Sequence, residues 1–350
     1  LLAYVRTGDI HDPADKIGLA ALTASVMRTG GTVSREPDDL NETLEFIAGS
    51  VESSMSTEFA TIGLSVMRKD IDLGIEIFAD VLMNPAFREG KIELARNQAL
   101  EGVRRQNDNP YGIAGRELSN IVFGDHPYAN TATVESITSI TREDMVAFHD
   151  AHYRPGGISI AVSGDFDKDA IIAKLEDAFG EWTAPVVEHP PAPPVEDLAD
   201  STGIFHAEKE IPQTAVWFGH VGVKRTNPDW FSILVMNEVL GGGGLFTARL
   251  PSEIRSNRGL AYSVGASYRR MNQRGLFRVY CVTRPDATAQ CIEATREILH
   301  GMRDEQVTDE ELDLVKNLNI NSFVFAYTSS GQIAHQDLRI DFLGYPANFL

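Results

Sequence analysis

Basic side chains, cysteines and long apolar runs are what this sequence has least of. Lysine and arginine number 31 against 50 aspartates and glutamates, a formal charge of −19 at pH 7. A phosphate backbone is held by a basic stripe, so nucleic acid is excluded as the expected partner. The acidic excess reads as a solubility feature of the surface, and it also suits cationic peptides. Cys281 and Cys291 are the two cysteines among 350 residues. Their spacing matches neither a disulfide scaffold nor a paired metal motif, and both are expected as buried thiols. No stretch approaches the ~18 consecutive apolar residues of a membrane-spanning helix. Residues 1–8 read as the end of a strand, with no basic n-region or small-residue cleavage site, as expected of a chain that begins inside a domain.

What is present is ordinary globular material, 43% hydrophobic and 23% charged. A domain takes about 100–200 residues, so two are expected. The boundary falls at 184–203, where Pro185, Pro190, Pro191, Pro193 and Pro194 stand among acids with no apolar period, the mark of an extended linker. It separates a domain over 1–183 from one over 204–350. In the first, apolar helical patterns cover 18–27 and 39–47, alternating patterns cover 50–56 and 59–67, and helices follow over 71–83, 89–106 and 113–123. Thr141 with Asp144 predicts a capped helix to 149, then a strand over 158–162 and a helix over 167–179. The second repeats the order: strand 214–219, helix 230–240 with a glycine stop at 241–244, strands 261–268 and 275–282, then helices 287–302, 312–327 and 332–343. The recurrence predicts a duplicated α+β unit of about 175 residues.

Several segments, in order and over nearly the whole chain, resemble the pitrilysin/insulinase-type metallopeptidase superfamily, in its two-domain bacterial branch. Gly18-Leu19-Ala20 and Gly31-Thr32 are similar to its metal-helix segment. Asn109-Pro110, Phe123-Gly124-Asp125-His126-Pro127-Tyr128, Glu135-Ser136-Ile137 and Ile140-Thr141 resemble its connecting stretch. Tyr153-Arg154-Pro155 and Val162-Ser163-Gly164-Asp165-Phe166 resemble the close of its first domain. Leu245-Phe246, Leu250 and Arg258-Gly259-Leu260-Ala261-Tyr262-Ser263-Val264 resemble the most recognisable stretch of its second. The resemblance implies two similar α+β domains, each an antiparallel sheet covered by helices.

The departure lies at the metal. Catalytic members carry H-x-x-E-H on the first helix, where two imidazoles at i and i+4 bind zinc and the Glu activates water. Ala21, Ala24 and Ser25 stand there, and none is a zinc donor. The third ligand of the family corresponds to Glu101, which alone cannot hold the ion. The resemblance therefore implies no zinc on this chain and zinc on a homologous partner subunit. It also implies that Arg255 and Tyr262, seven residues apart, hold a substrate carbonyl as its oxyanion develops, where one donor is worth about 3–4 kcal/mol. The residues alone leave an alternative open. Tyr262 shares strand parity with Leu260, Val264 and Ala266, as a core tyrosine would, and Arg255 suits a helix C-terminus ended by Gly259. The strand at 50–56, with Glu52, Ser53 and Ser54, resembles the family's edge strand, to which an extended peptide adds. Gly242 and Gly243 read either as a helix cap and turn or as a rim that admits substrate backbone.

The expected function is that of a non-zinc subunit of a heterodimeric zinc metallopeptidase acting on peptides, inactive alone. The alternative is a catalytically inactive structural or peptide-binding homologue. Periplasm and cytoplasm are both open as locations, with the periplasm favoured. His149 and His152 are spaced poorly for a metal pair, and His126 reads as a loop histidine.

Overall fold

A computed structural model of the chain describes residues 1–184, 192–196, 202–346 and 349. Much of the expected linker, 185–191 and 197–201, lies outside the described residues. The chain divides into two compact units. The first takes Leu1–Arg104, Asn130–Pro191 and Tyr327–Leu350, and the second takes Arg105–Ala129 and Ala192–Ala326.

In the first unit, β1 (Leu2–Val5), β2 (Ser50–Met55), β3 (Ala60–Ser65) and β4 (Ile158–Ala161) form one antiparallel sheet in the order β2-β3-β1-β4. Period-two alternation decides its faces. Ala3 pairs with Ile62 and Val5 with Ala60, and all four are buried on the core side. That side is covered by α1 (Leu19–Thr29), α3 (Ile71–Met83) and α7 (Arg142–His152), with α2 (Pro37–Phe46), α4 (Glu89–Arg105), α6 (Val134–Ser139) and α8 (Lys168–Phe179) around them. Phe78, Met27, Leu40 and Met145 are among the fully buried side chains. The capping box expected at Thr141 and Asp144 is present, and Thr133 with Ser136 forms another at α6, a short helix that the apolar pattern did not mark.

In the second unit, β5 (Thr214–Val221), β6 (Ala261–Arg269) and β7 (Leu276–Thr283) form a sheet ordered β5-β7-β6, backed by α9 (Trp230–Leu240), α10 (Thr288–Asp304) and α11 (Asp309–Phe323). The order β6-β7-β5 repeats β2-β3-β1, so the expected duplication is visible in the pairing. Val264, Ala266, Val279, Leu250 and Ile254 lie in its core. Cys281 on β7 and Cys291 on α10 are there too, but joined as a disulfide rather than as the expected free thiols. Ten residues of spacing conceal this, because the strand-to-helix connection between them brings the two sulfurs together inside one core.

One helix from each half of the sequence is counted with the opposite unit. The helix α5 (Pro110–Phe123) lies on β5, and its approach is close because both surfaces are glycine there. A Cβ on Gly115 would meet the Trp217 ring at 3.3 Å, and one on Gly219 would meet Leu118 at 2.8 Å. The helix α12 (Ser330–Phe342) lies on the outer face of the first sheet, where Leu338 and Phe342 bury Tyr4. The Tyr4 hydroxyl and His335 Nε2 are 2.7 Å apart.

Candidate functional site

In the second unit, α9 ends at the glycine run, where the N–H groups of Gly241 and Gly242 both donate to the Asn237 carbonyl at 3.0 and 2.7 Å. The run thus caps the helix, with Gly242 and Gly243 exposed. Pro251–Asn257 then winds as a π-helix, a wide turn that recurs at functional sites. It directs Ile254 into the core and Arg255 away from it. Gly259, at φ +60°, takes the left-handed conformation that ends the turn, and β6 begins two residues later.

The alternation of β6 fails at its first step. Ala261 pairs with Thr283 and Ser263 with Val282, which leaves Tyr262 opposite no residue in a β-bulge. Its side chain is 81% exposed, although Val264 and Ala266 of the same nominal parity are buried. Tyr262 is therefore not a core tyrosine: the bulge turns its side chain outward. Arg255 reaches it. The guanidinium carbon lies 4.6 Å from the Tyr262 ring centre and 4.5 Å from that of Phe246, which is itself 65% exposed. Among the described residues, no hydrogen bond or ion pair engages the Arg255 guanidinium. Rings rather than carboxylates hold this cation, so its N–H groups remain for a carbonyl or carboxylate. Phe246 carries part of the family resemblance but no site role was read for it, because no local spacing marks its contact with a residue nine positions on.

In the first unit, β2 is the edge strand of its sheet, as the resemblance implied for this segment. Leu64 exchanges backbone hydrogen bonds with Leu1, so it turns away from β2, and its partner Val51 must turn outward. By alternation, the backbone groups of Val51, Ser53 and Met55 face the open edge, while Glu52 and Ser54 are spent on β3. The Val51 carbonyl accepts from Arg28 Nε at 2.7 Å, and the same guanidinium donates to Asn41 at 2.9 Å. The Glu52 side chain is exposed, and Ser54 Oγ lies 2.7 Å from Thr61 Oγ1.

The helix α1 runs beside β2. Its start is held by the Asp12 carboxylate, which accepts from the Gly18 and Ala20 N–H groups at 2.7 Å each. Burial pushes the Asp12 pKa up to about 6, against the lowering effect of those two bonds. Ala21 and Ser25 are exposed on this helix, and Ala24 is 1% exposed. Glu101 is an exposed residue of α4, 4.0 Å from Arg104. Zinc needs several nitrogen, sulfur or carboxylate donors, and the methyl and hydroxymethyl groups on α1 do not fit it. No cluster of three or more His, Cys, Asp or Glu that could hold a metal occurs among the described residues. His149 is buried against the Leu82 carbonyl at 2.9 Å, with its pKa lowered chiefly by burial, and His152 stacks on Phe148. Both are packing residues. His126 bonds the Pro193 carbonyl at 2.8 Å, in a loop.

Comparison with known proteins identifies the family. Residues 2–134 match the insulinase (peptidase family M16) model, and residues 139–319 match the peptidase M16 inactive-domain model. The chain belongs to peptidase family M16, and its residues 139–319 are of the inactive-domain type. Its relatives include an uncharacterized zinc protease of Mycobacterium leprae, 27% identical over 81% of this chain and 64% of that protein. Another, from Bacillus subtilis, is 24% identical over 93% and 78%. The chain thus spans somewhat under two-thirds of the length of the mycobacterial relative. The M16 inactive-domain structure from Pseudomonas fluorescens superposes with a TM-score of 0.86 at 27% identity, covering 99% of this chain and 83% of that one. A Helicobacter pylori protease, at 18% identity and a TM-score of 0.87 over 98% of this chain and 84% of that one, shares the fold.

Proposed function

We propose that this chain is the non-zinc-binding subunit of a heterodimeric zinc metallopeptidase, supplying Arg255 and Tyr262 to a substrate carbonyl while a homologous partner supplies the zinc and its general base. The observation that carries the reading is the asymmetry of retained parts. The Arg255 guanidinium lies over the exposed Tyr262 ring with its donors unspent among the described residues. Ala21 and Ser25 stand exposed where metal donors would be. Donors aimed at the developing oxyanion act on the transition state and hold no metal themselves. Peptides are the substrates, and the exposed Gly242 and Gly243 would admit substrate backbone. The two peptidase-like halves, 1–183 and 204–350, are joined by the proline-rich stretch at 184–203.

Among the described residues no helix is long and apolar enough to cross a membrane. The Cys281–Cys291 disulfide supports an oxidising location. A periplasmic protease of Escherichia coli, 15% identical with a TM-score of 0.83 over 98% of this chain and 38% of that one, has the same fold, and the periplasm is the location we favour.

The test is reconstitution. Peptide hydrolysis is measured for this chain alone, for a zinc-bearing M16 homologue alone, and for the two co-expressed. Activity confined to the pair, with zinc bound in the homologue, is the expected result. Equal activity of the homologue with and without this chain contradicts the proposal.

A second reading rests on β2. Its open edge presents the backbone groups of Ser53 and Met55, which suits addition of an extended peptide without hydrolysis. Glu52, Ser53 and Ser54 would then serve a peptide-binding homologue. Saturable binding of an extended peptide by the isolated chain favours it.

A further inference from the structure

We infer that Phe246 is the positioning residue of this site: its ring, together with that of Tyr262, holds the Arg255 guanidinium while spending none of its N–H donors, which are then left for a peptide carbonyl. The inference rests on the proposed carbonyl-binding role of Arg255 and adds the residue that makes the role geometrically possible.

Two arginines on one short helical stretch are held in opposite ways. Arg258 donates from Nε to Glu253 at 2.7 Å and from a terminal nitrogen to Glu297 at 2.9 Å. Carboxylates lie in its plane, so its donors are spent. Three residues earlier, Arg255 has ring centres 4.5 and 4.6 Å from its guanidinium carbon and no carboxylate partner among the described residues. In a protein with 50 acidic residues, contact with aromatic rings rather than carboxylates leaves the N–H donors of Arg255 unspent. Stacking also restricts the long, rotamer-rich side chain before substrate arrives, which reduces the entropy lost when the carbonyl is bound.

Phe246 itself needs a reason to be where it is. It is 65% exposed, and the Arg255 guanidinium lies over its ring. An exposed aromatic ring next to an otherwise unengaged cation is accounted for by the contact between them. The glycine run immediately before it lets the chain turn from α9 and bring residue 246 to the Pro251–Asn257 stretch.

The test has a spectroscopic arm and a kinetic arm. In the full chain, the Arg255 Nε–H resonance is assigned by its loss in Arg255→Ala. Ring currents should displace it from the other arginines. Phe246→Ala should return it toward their position, and Phe246→Tyr should leave it displaced. A resonance that does not move in Phe246→Ala overturns the inference, whatever the kinetics show. In the complex with a zinc-bearing homologue, Phe246→Ala should lower kcat about two- to fivefold with KM unchanged, the equivalent of an exposed cation–π contact. Phe246→Tyr should restore kcat, Phe246→Leu should not, and Phe246→Ala should add nothing to Arg255→Ala. Wild-type kcat in Phe246→Ala beside an impaired Arg255→Ala overturns the positioning role and leaves the function of Arg255 standing. Wild-type kcat in Arg255→Ala overturns the carbonyl-binding reading and the inference built on it.

Discussion

The Arg255 guanidinium meets the Tyr262 ring because Tyr262 is the unpaired residue of a β-bulge, and in a regular strand its parity would have buried it. That placement has a consequence for stability. A buried aromatic truncated to alanine costs about 3–5 kcal/mol, whereas an exposed side chain away from special features costs within about 0.5 kcal/mol. Tyr262→Ala is therefore expected to leave the urea unfolding midpoint of the chain unchanged. A loss of several kcal/mol would return Tyr262 to the core.

The α1 helix keeps the spacing of a metal face without its chemistry. Ala21 and Ser25 are one helical turn apart and both exposed. Imidazoles introduced by Ala21→His with Ser25→His would share that face without entering the core, and two histidines at i and i+4 chelate zinc. The double variant is expected to take up more zinc than the parent chain in equilibrium dialysis against micromolar zinc, measured by elemental analysis. Glutamate at residue 24 is a different case. Ala24 is 1% exposed, and Ala24→Glu should lower stability by about 1–3 kcal/mol through overpacking alone.

Gly219 is the point where α5 and β5 come nearest. A Cβ there would lie 2.8 Å from Leu118 Cδ2 and 2.9 Å from the Phe277 carbonyl oxygen. The carbonyl belongs to the paired strand and cannot move aside, so Gly219→Ala should destabilise the second unit by about 1–3 kcal/mol. Hydrogen exchange should show the loss of protection in α5 and β5, with β1 and β3 unaffected.

The pH dependence of stability has opposing contributions. Burial lowers the pKa of His335, with a smaller effect from Arg339, and burial also lowers that of His149, both from an ordinary 6.5. A depressed histidine contributes stability above its unfolded pKa, and the contribution is lost as pH falls through the folded value. Asp12 runs the other way. Its pKa is raised from 3.8 to about 6, so its contribution is present below 3.8 and lost as pH rises through about 6. Asp12→Asn removes the second contribution, and unfolding free energy should then rise more steeply with pH between 4 and 6 than it does in the parent. His335→Gln should flatten the rise below 6.5. Denaturant titrations across this range measure both slopes, and parallel curves would contradict the assignments.

Much of this was legible in the sequence, because local periodicity and capping are local properties. The helix over 71–83 coincides with α3, and the Thr141 box stands as expected. The edge position of β2 followed from the family resemblance. What was not legible depends on partners distant in the chain. Strand parity could not report the bulge at Tyr262, which is set by pairing with Thr283 and Val282. The exchange of α5 and α12 between units depends on packing at Trp217 and Tyr4, far along the chain from either helix. Nothing in the local sequence sets Asp12 apart, because its two bonds, to the Gly18 and Ala20 N–H groups, form only once the loop is folded.

The central claim is that this chain contributes carbonyl-binding groups to a site whose metal lies elsewhere. Its most direct measurement is kcat for peptide hydrolysis by the reconstituted pair, with Arg255→Ala in this chain alone. Loss of one oxyanion-directed donor costs about 100- to 1000-fold. The account predicts a fall of that order, with assembly and zinc content of the pair unchanged. A kcat equal to that of the parent pair would contradict it.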